Sequence, residues 1–157
     1  MATKTNAVRL VQQANIPVRE AFYEYDEQDL SGNHAADAIG MPQEQVFKTL
    51  VTVGRSGEHY VFMIPVAEEL DLKKAAKAVG EKSVEMVKSK ELLGLTGYIH
   101  GGCSPIGMKK FFRTTVHETA VLYDTILFSG GKIGVQVELA PDALMQMVPF
   151  AYADLTV

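Results

Sequence analysis

The chain has 157 residues, 47% of them hydrophobic and 22% charged, which suits one globular domain with a real core. Its formal net charge of −4 is the opposite sign to that of proteins gripping nucleic acid through many phosphate contacts. The N-terminal "MATKTNAVRLVQQANIP" lacks the apolar run of a signal peptide, no later segment approaches a membrane span, and a lone cysteine excludes an internal disulfide. A cytoplasmic protein is the expectation.

No repeat, low-complexity tract or linker divides the sequence, so a single domain over residues 1–157 is expected. Ala7, Val8, Leu10, Val11 and Ala14 fall at helical spacing and predict a first helix over roughly Lys4 to Ala14, ended by Asn15 and Pro17. "VREAFYEY" is extended, and a short helix follows over His34 to Ile39, stopped by Gly40; Pro42 can open another helical turn. "VFKTLVTV" and "HYVFMIPV" are rich in β-branched and aromatic residues and predict a hairpin across "GRSG". "DLKKAAKAVG" predicts a helix capped by Asp71 and ended by Gly80. "SVEMV" follows as a strand, "SKELLG" as a helical turn with its own terminal glycine, and "GYIHGG" as a strand.

"TILFS" and "KIGVQVELA" predict a second hairpin across Gly130 and Gly131. In it Ile133, Val135, Val137 and Leu139 alternate with Lys132, Gly134, Gln136 and Glu138, one face core and the other polar. Pro141 opens a last helix, "PDALMQMV", and "FAYADLTV" is a closing strand. Hairpins with helices interspersed irregularly predict an α+β (mixed α/β) fold: a mixed, largely antiparallel central sheet wrapped by helices.

The glycine-rich "HGGCSPIGMKK" at 100–110 carries the chemical question. "GGCSPIG" matches neither GxGxxG nor GxxxxGK[ST], which argues against a Rossmann or P-loop site. His34, His59, His100 and His117 are scattered and lack the spacing of a metal site, so each is expected at the surface or as a satisfied structural residue. Cys103 is either a nucleophile activated by a base or a small buried hydrophobe, and the second reading is favoured. The backbone of Gly101, Gly102 and Ser104 can form a nest for an anion or oxyanion, shaped by Pro105, or simply a tight turn. Lys48 sits on an apolar strand beside Val46 and Leu50, where it either snorkels at an edge or aims a charge into a pocket. Tyr23, Tyr25 and Asp26 of "FYEYD" can line a cleft. The lysines at 73–90 read as solvated faces; Lys109, Lys110 and Arg113 follow the glycine loop, and Lys109 and Lys110 are candidates for a local RNA contact.

"FYEYD", "VFKTLV", "PVAEELDLKKAAKAVG", "VEMV", "TGYIHGGCSPIGMKK" and "SGGKIGVQVELA" occur in the order seen in the YbaK/EbsC family, which the chain resembles over nearly its whole length. These proteins are free-standing relatives of the editing domain inserted in bacterial prolyl-tRNA synthetase. The resemblance implies a deacylase that acts at the 3′ acceptor end of mischarged aminoacyl-tRNA, most typically Cys-tRNA(Pro), with no cofactor, no metal and no membrane. Prolyl-tRNA synthetase is implied as a further partner. It puts the family's essential lysine on Lys48, beside Thr49, and its conserved tyrosine on Tyr23. The glycine loop falls on Gly101 to Pro105 and a second turn on Ser129, Gly130, Gly131 and Lys132. Two departures leave the amino-acid preference open: Gln136 replaces a common aspartate, and Ser31 stands where relatives carry an aromatic; a third, Cys103 in place of an aliphatic residue, argues against Cys103 as the nucleophile. A deacylase for alanine, serine or threonine esters, and a non-catalytic module binding aminoacyl-tRNA or the synthetase, remain the alternatives.

Overall fold

A computed structural model describes residues 5–25 and 31–157. Local signals set most element ends. Helix α1 (Asn6–Gln13) begins where the Thr5 hydroxyl accepts the Val8 N–H at 3.1 Å, and it buries Ala7, Val8 and Val11. Strand β1 (Arg19–Phe22) precedes helix α2 (Gly32–Ile39), which is capped by Ser31 and stopped by Gly40 at φ 73°. The expected hairpin is β2 (Phe47–Gly54) with β3 (His59–Pro65). Helix α3 (Leu72–Val79) starts at Asp71, whose carboxylate accepts the Lys73 and Lys74 N–H groups at 2.9 and 3.1 Å, and ends at Gly80.

Strand β4 (Val84–Met86), helix α4 (Ser89–Thr96) and strand β5 (Arg113–His117) follow, with a 3-10 turn at Glu118–Leu122. The second hairpin joins β6 (Ile126–Ser129) to β7 (Val135–Leu139), before helix α5 (Pro141–Met147) with its N-terminal proline and strand β8 (Phe150–Ala153).

Three expectations are corrected, and one strand has no counterpart among them. "GYIHGG" is not a strand: Tyr98 is buried with its hydroxyl on the Ile106 carbonyl, and the chain turns at 100–101. Helix α4 runs through Gly94 and ends at Gly97, φ 88°, because Gly94 keeps helical geometry. Pro42 opens a turn, closed by the Gln45 N–H on its carbonyl at 3.0 Å, not a helix. Strand β5 was not anticipated; "RTTVH" lacks alternation, yet Thr114, Thr115 and Val116 are all buried because strands flank it on both sides.

The mixed, mainly antiparallel architecture is present, divided into two sheets. One has the order β4-β2-β3-β5-β8, with β3–β5 and β5–β8 parallel; the other is the antiparallel set β1-β7-β6. They meet at a bridge between Val46 and Leu127, where the Leu127 N–H donates to the Gln45 carbonyl at 3.0 Å and Gln45 Nε2 donates to the Thr125 carbonyl at 2.9 Å. Val8, Val11, Phe47, Met63, Phe128, Val137 and Leu144 fill the space between α1, α5 and the sheets. Helix α3 covers the other face, setting Ala75, Ala76 and Val79 against Tyr60, Phe62 and Ile64. Burying each large apolar side chain stabilises by roughly 1.5–3 kcal/mol, so these two clusters hold the sheets and their covering helices together.

Candidate active site

A cavity of about 290 Å³ opens where the two sheets meet. Strand β2 lines one side with Phe47, Lys48, Thr49 and Leu50. Gln136 of β7, Ser129 at the end of β6 and Tyr23 just beyond β1 form another wall. Ser31, Asn33 and Ala35 come from the start of α2, Leu92 from α4, and His100, Gly101 and Cys103 from the glycine turn.

Lys48 is half-buried. Desolvation holds its ammonium below the ordinary lysine value, with the charges of Glu69 and Glu68 acting in the other direction. No carboxylate lies within ion-pair distance of it among the described residues. A cation that burial penalises, set at a cavity without a bonded counter-charge, is suited to meeting an anion or a developing oxyanion.

The glycine turn is built differently from the nest that its sequence suggests. Gly101 adopts φ 87° and borders the cavity. Gly102 does not: its N–H donates to the Ile99 carbonyl at 3.0 Å and closes the turn. Ser104 is fully buried, its hydroxyl accepting the Ile106 N–H at 3.3 Å, and Pro105 is buried behind it. Of the loop residues expected to touch a ligand, the structure brings Gly101 and Cys103 to the cavity and leaves Gly102, Ser104 and Pro105 in the wall's support.

The second glycine turn has the same division. Ser129 lines the cavity while its hydroxyl accepts the Gly131 N–H at 3.1 Å, and the Gly130 N–H donates to the Val135 carbonyl at 2.9 Å. Gly131, at φ 101°, lies against Tyr98. Gly130 and Gly131 therefore shape the turn and do not border the cavity.

Cys103 packs among Val51, Val61, Leu92, Tyr98 and Phe112. Burial pushes its thiol up to about 11, a hydrogen bond with Thr96 opposing. A thiol so protonated at neutral pH is a poor nucleophile.

Tyr23 is held in place by its N–H on the Gly134 carbonyl at 3.0 Å and by His34, whose ring lies edge-on with centroids 6.3 Å apart. His59 packs on Phe112 at 5.4 Å, and buried His117 accepts the Leu155 N–H through Nδ1 at 3.1 Å. These three histidines are structural. His100 is not, since it is exposed at the cavity rim, and nothing in its sequence neighbourhood separates it from the others. Tyr25 is exposed against Gly134, and Asp26 lies outside the described residues. Among the described residues no three His, Cys, Asp or Glu side chains gather.

Among the described residues three buried side-chain oxygens have no hydrogen-bond partner, Thr49 Oγ1, Gln136 Oε1 and Thr119 Oγ1, and the first two belong to the cavity. Leaving a buried polar atom unpaired costs about 1–3 kcal/mol, so a pair facing one space points to a polar ligand. The expectation of a polar outer face on β7 changes accordingly: Gln136 is buried. Elsewhere, Lys74 binds Asp154 at 2.8 Å and the Thr156 carbonyl at 2.7 Å, and Arg113 donates to the Val79 carbonyl at 3.3 Å, so both serve the fold. Lys109 and Lys110 are exposed. No helix among the described residues is long and apolar enough to cross a membrane.

A family model for the aminoacyl-tRNA editing domain matches residues 31–147. An Enterococcus faecalis protein named "Putative Cys-tRNA(Pro)/Cys-tRNA(Cys) deacylase EbsC" is 48% identical over 153 residues, covering 98% of this chain and 93% of the relative. A solved structure described as "a putative trans-editing enzyme for prolyl tRNA synthetase" is 26% identical with a TM-score of 0.81, covering 99% of both chains. A hypothetical protein of solved structure, 20% identical, has a TM-score of 0.87 over 98% of this chain and 100% of its own, and so shares the fold. With a Lys48-centred cavity at the seam of this fold, a domain match over most of the chain and near-half identity to EbsC, the chain belongs to the aminoacyl-tRNA editing domain family.

Proposed function

We propose that the protein removes a mischarged amino acid from tRNA by cleaving the aminoacyl ester at the 3′ acceptor end, with cysteine on tRNA(Pro) or tRNA(Cys) as substrate. The observation that carries this reading is Lys48: a half-buried ammonium without an ion-pair partner among the described residues, at a cavity that is also lined by an unpaired amide oxygen. The 48% identity to a protein named for that activity supports the substrate.

Lys48 binds the terminal phosphate or ribose, or polarises the ester carbonyl, and Gly101 brings its backbone to the same space. The attacking group is a water or the substrate's own thiol. In the second case the sulfur bonds to the carbonyl carbon, the ester C–O bond breaks and the departing 3′ oxygen takes up a proton. Cys103 lines the cavity but is the nucleophile in neither route, because burial pushes its thiol up.

The net charge of −4 leaves few cations for a long RNA interface, and a structural relative is described as acting in trans for prolyl-tRNA synthetase. We therefore infer that a synthetase–tRNA complex presents the substrate, in the cytoplasm. A panel of mischarged tRNAs, assayed with and without prolyl-tRNA synthetase, tests both statements. Cysteinyl-tRNA should be cleaved well above the spontaneous rate; no hydrolysis of any member overturns the deacylase reading.

A further inference from the structure

Strand β2 is paired along its whole length on one side and only in part on the other. On the β3 side the ladder runs unbroken from Phe47–Pro65 to Val53–His59. On the other side β4 pairs with Thr52, Val53 and Gly54, and the Val87 N–H reaches the Val51 carbonyl at 3.2 Å. At the opposite end Val46 bridges Leu127 of β6. Thr49 lies in the gap. The chain leaves β4 for helix α4 at Lys88, so β4 never extends as far as Thr49.

The phase of the ladder fixes where the Thr49 backbone points. The Gly54 N–H donates to the Glu58 carbonyl and the Val66 N–H to the Val46 carbonyl, so even-numbered residues of β2 bond toward β3. The Val51 carbonyl and the Arg55 N–H bond toward the β4 side, so odd-numbered residues face the other way. The Thr49 N–H and C=O therefore point into the gap between β4 and β6, where the cavity lies. Among the described residues no strand lies opposite them, and the Thr49 hydroxyl is a buried oxygen without a partner. An unfilled ladder position of this kind takes one donor and one acceptor.

An α-aminoacyl ester carries an amine and a carbonyl on the same carbon, the spacing of N–H and C=O within one strand residue. In an antiparallel hydrogen-bonded pair two residues exchange both bonds. We propose that the aminoacyl group docks as a one-residue strand: its amine donates to the Thr49 carbonyl, and its ester carbonyl accepts from the Thr49 N–H. This rests on the deacylase reading for the identity of the ligand and adds the atoms that recognise it, with a free α-amine as the requirement. Selection of the α-amino acid framework then comes from main chain, and the side-chain preference from other walls of the cavity. The Thr49 N–H also helps to hold the oxyanion as the carbonyl is attacked.

The test uses the wild-type protein, labelled with nitrogen-15, and two ligands that cannot be cleaved as esters: 3′-cysteinylamino-3′-deoxyadenosine and its 3-mercaptopropionylamino counterpart, which lacks the amine. With the first, the Thr49 amide proton should move downfield and its exchange should slow at least about 10-fold. The amine-free ligand should bind at least about 10-fold more weakly, the worth of one good hydrogen bond. An unmoved Thr49 amide at saturation, equal binding of the two ligands, or no binding of either overturns the pairing. Hydrolysis of cysteinyl-tRNA is measured on the same preparation. Turnover with an unmoved Thr49 amide sinks the pairing alone, and a Thr49 response without turnover sinks the deacylase reading alone.

Discussion

Gly102 packs on the backbone of Ile133: a Cβ built on Gly102 would stand 3.0 Å from the Ile133 nitrogen and 3.2 Å from the Lys132 carbonyl carbon. The two glycine turns, thirty residues apart, are thus docked main chain to main chain. Since the neighbour is backbone and cannot rotate away, Gly102→Ala should cost about 1–3 kcal/mol. Urea denaturation measures this, and activity should fall in step with the distortion of the Gly101 wall. Unchanged stability would show that the turns can part.

Lys48→Met should separate activity from stability. The folded protein depresses the pKa of Lys48 by desolvation, so over the interval between its folded and unfolded values the unfolded chain binds more protons. Stability attributable to Lys48 therefore rises with pH through that interval, and below it the charge opposes folding. Methionine should leave stability unchanged or raise it by on the order of 0.5 kcal/mol, while kcat/KM for cysteinyl-tRNA falls at least about 100-fold. Near-normal turnover by the variant contradicts the role given to Lys48.

Cys103→Ala should keep at least about half of the wild-type kcat and cost about 1–2 kcal/mol from the small void left among Val51, Leu92 and Phe112. Its thiol titrates at about 11 against an ordinary 9.0, so the folded state holds the proton over that interval and stability falls as pH rises through it. Denaturation between pH 8 and 11 should show a downward slope in the wild type that is reduced in the alanine variant. Abolished turnover in a folded variant would return Cys103 to the mechanism.

Gln136→Met tests the unpaired amide oxygen. Removing a buried oxygen that has no protein partner should leave stability equal or about 1 kcal/mol higher, whereas KM for an aminoacyl substrate should rise roughly 10-fold. An unchanged KM would mean that no ligand atom meets Gln136.

What the sequence made legible was local. Asp71 and Gly80 bound α3, and "GRSG" closes β2 onto β3, because a cap or a tight turn is decided by a few adjacent residues. Strand β5 escaped because its partners β3 and β8 are parallel neighbours brought in from distant parts of the chain, and its buried positions include two threonines. The family resemblance brought Tyr23, Lys48, Thr49, Gly101, Cys103, Ser129 and Gln136 into view, and the structure places all seven around the cavity. It could not distinguish glycines that border the space from those that support it, since both kinds need the same missing Cβ. His100 reaches the rim only because "GYIHGG" turns where a strand was expected.

The meeting of the two sheets at Val46 and Leu127 has a mechanical consequence. Lys48 is carried by one sheet and Gln136 by the other, so the spacing of ammonium and amide is set by how the two sheets pack and not by either sheet alone. The shared core of Phe47, Met63, Phe128 and Val137 holds that packing from within. Gln45, bound to the Thr125 carbonyl at 2.9 Å, ties the sheets together outside the cavity.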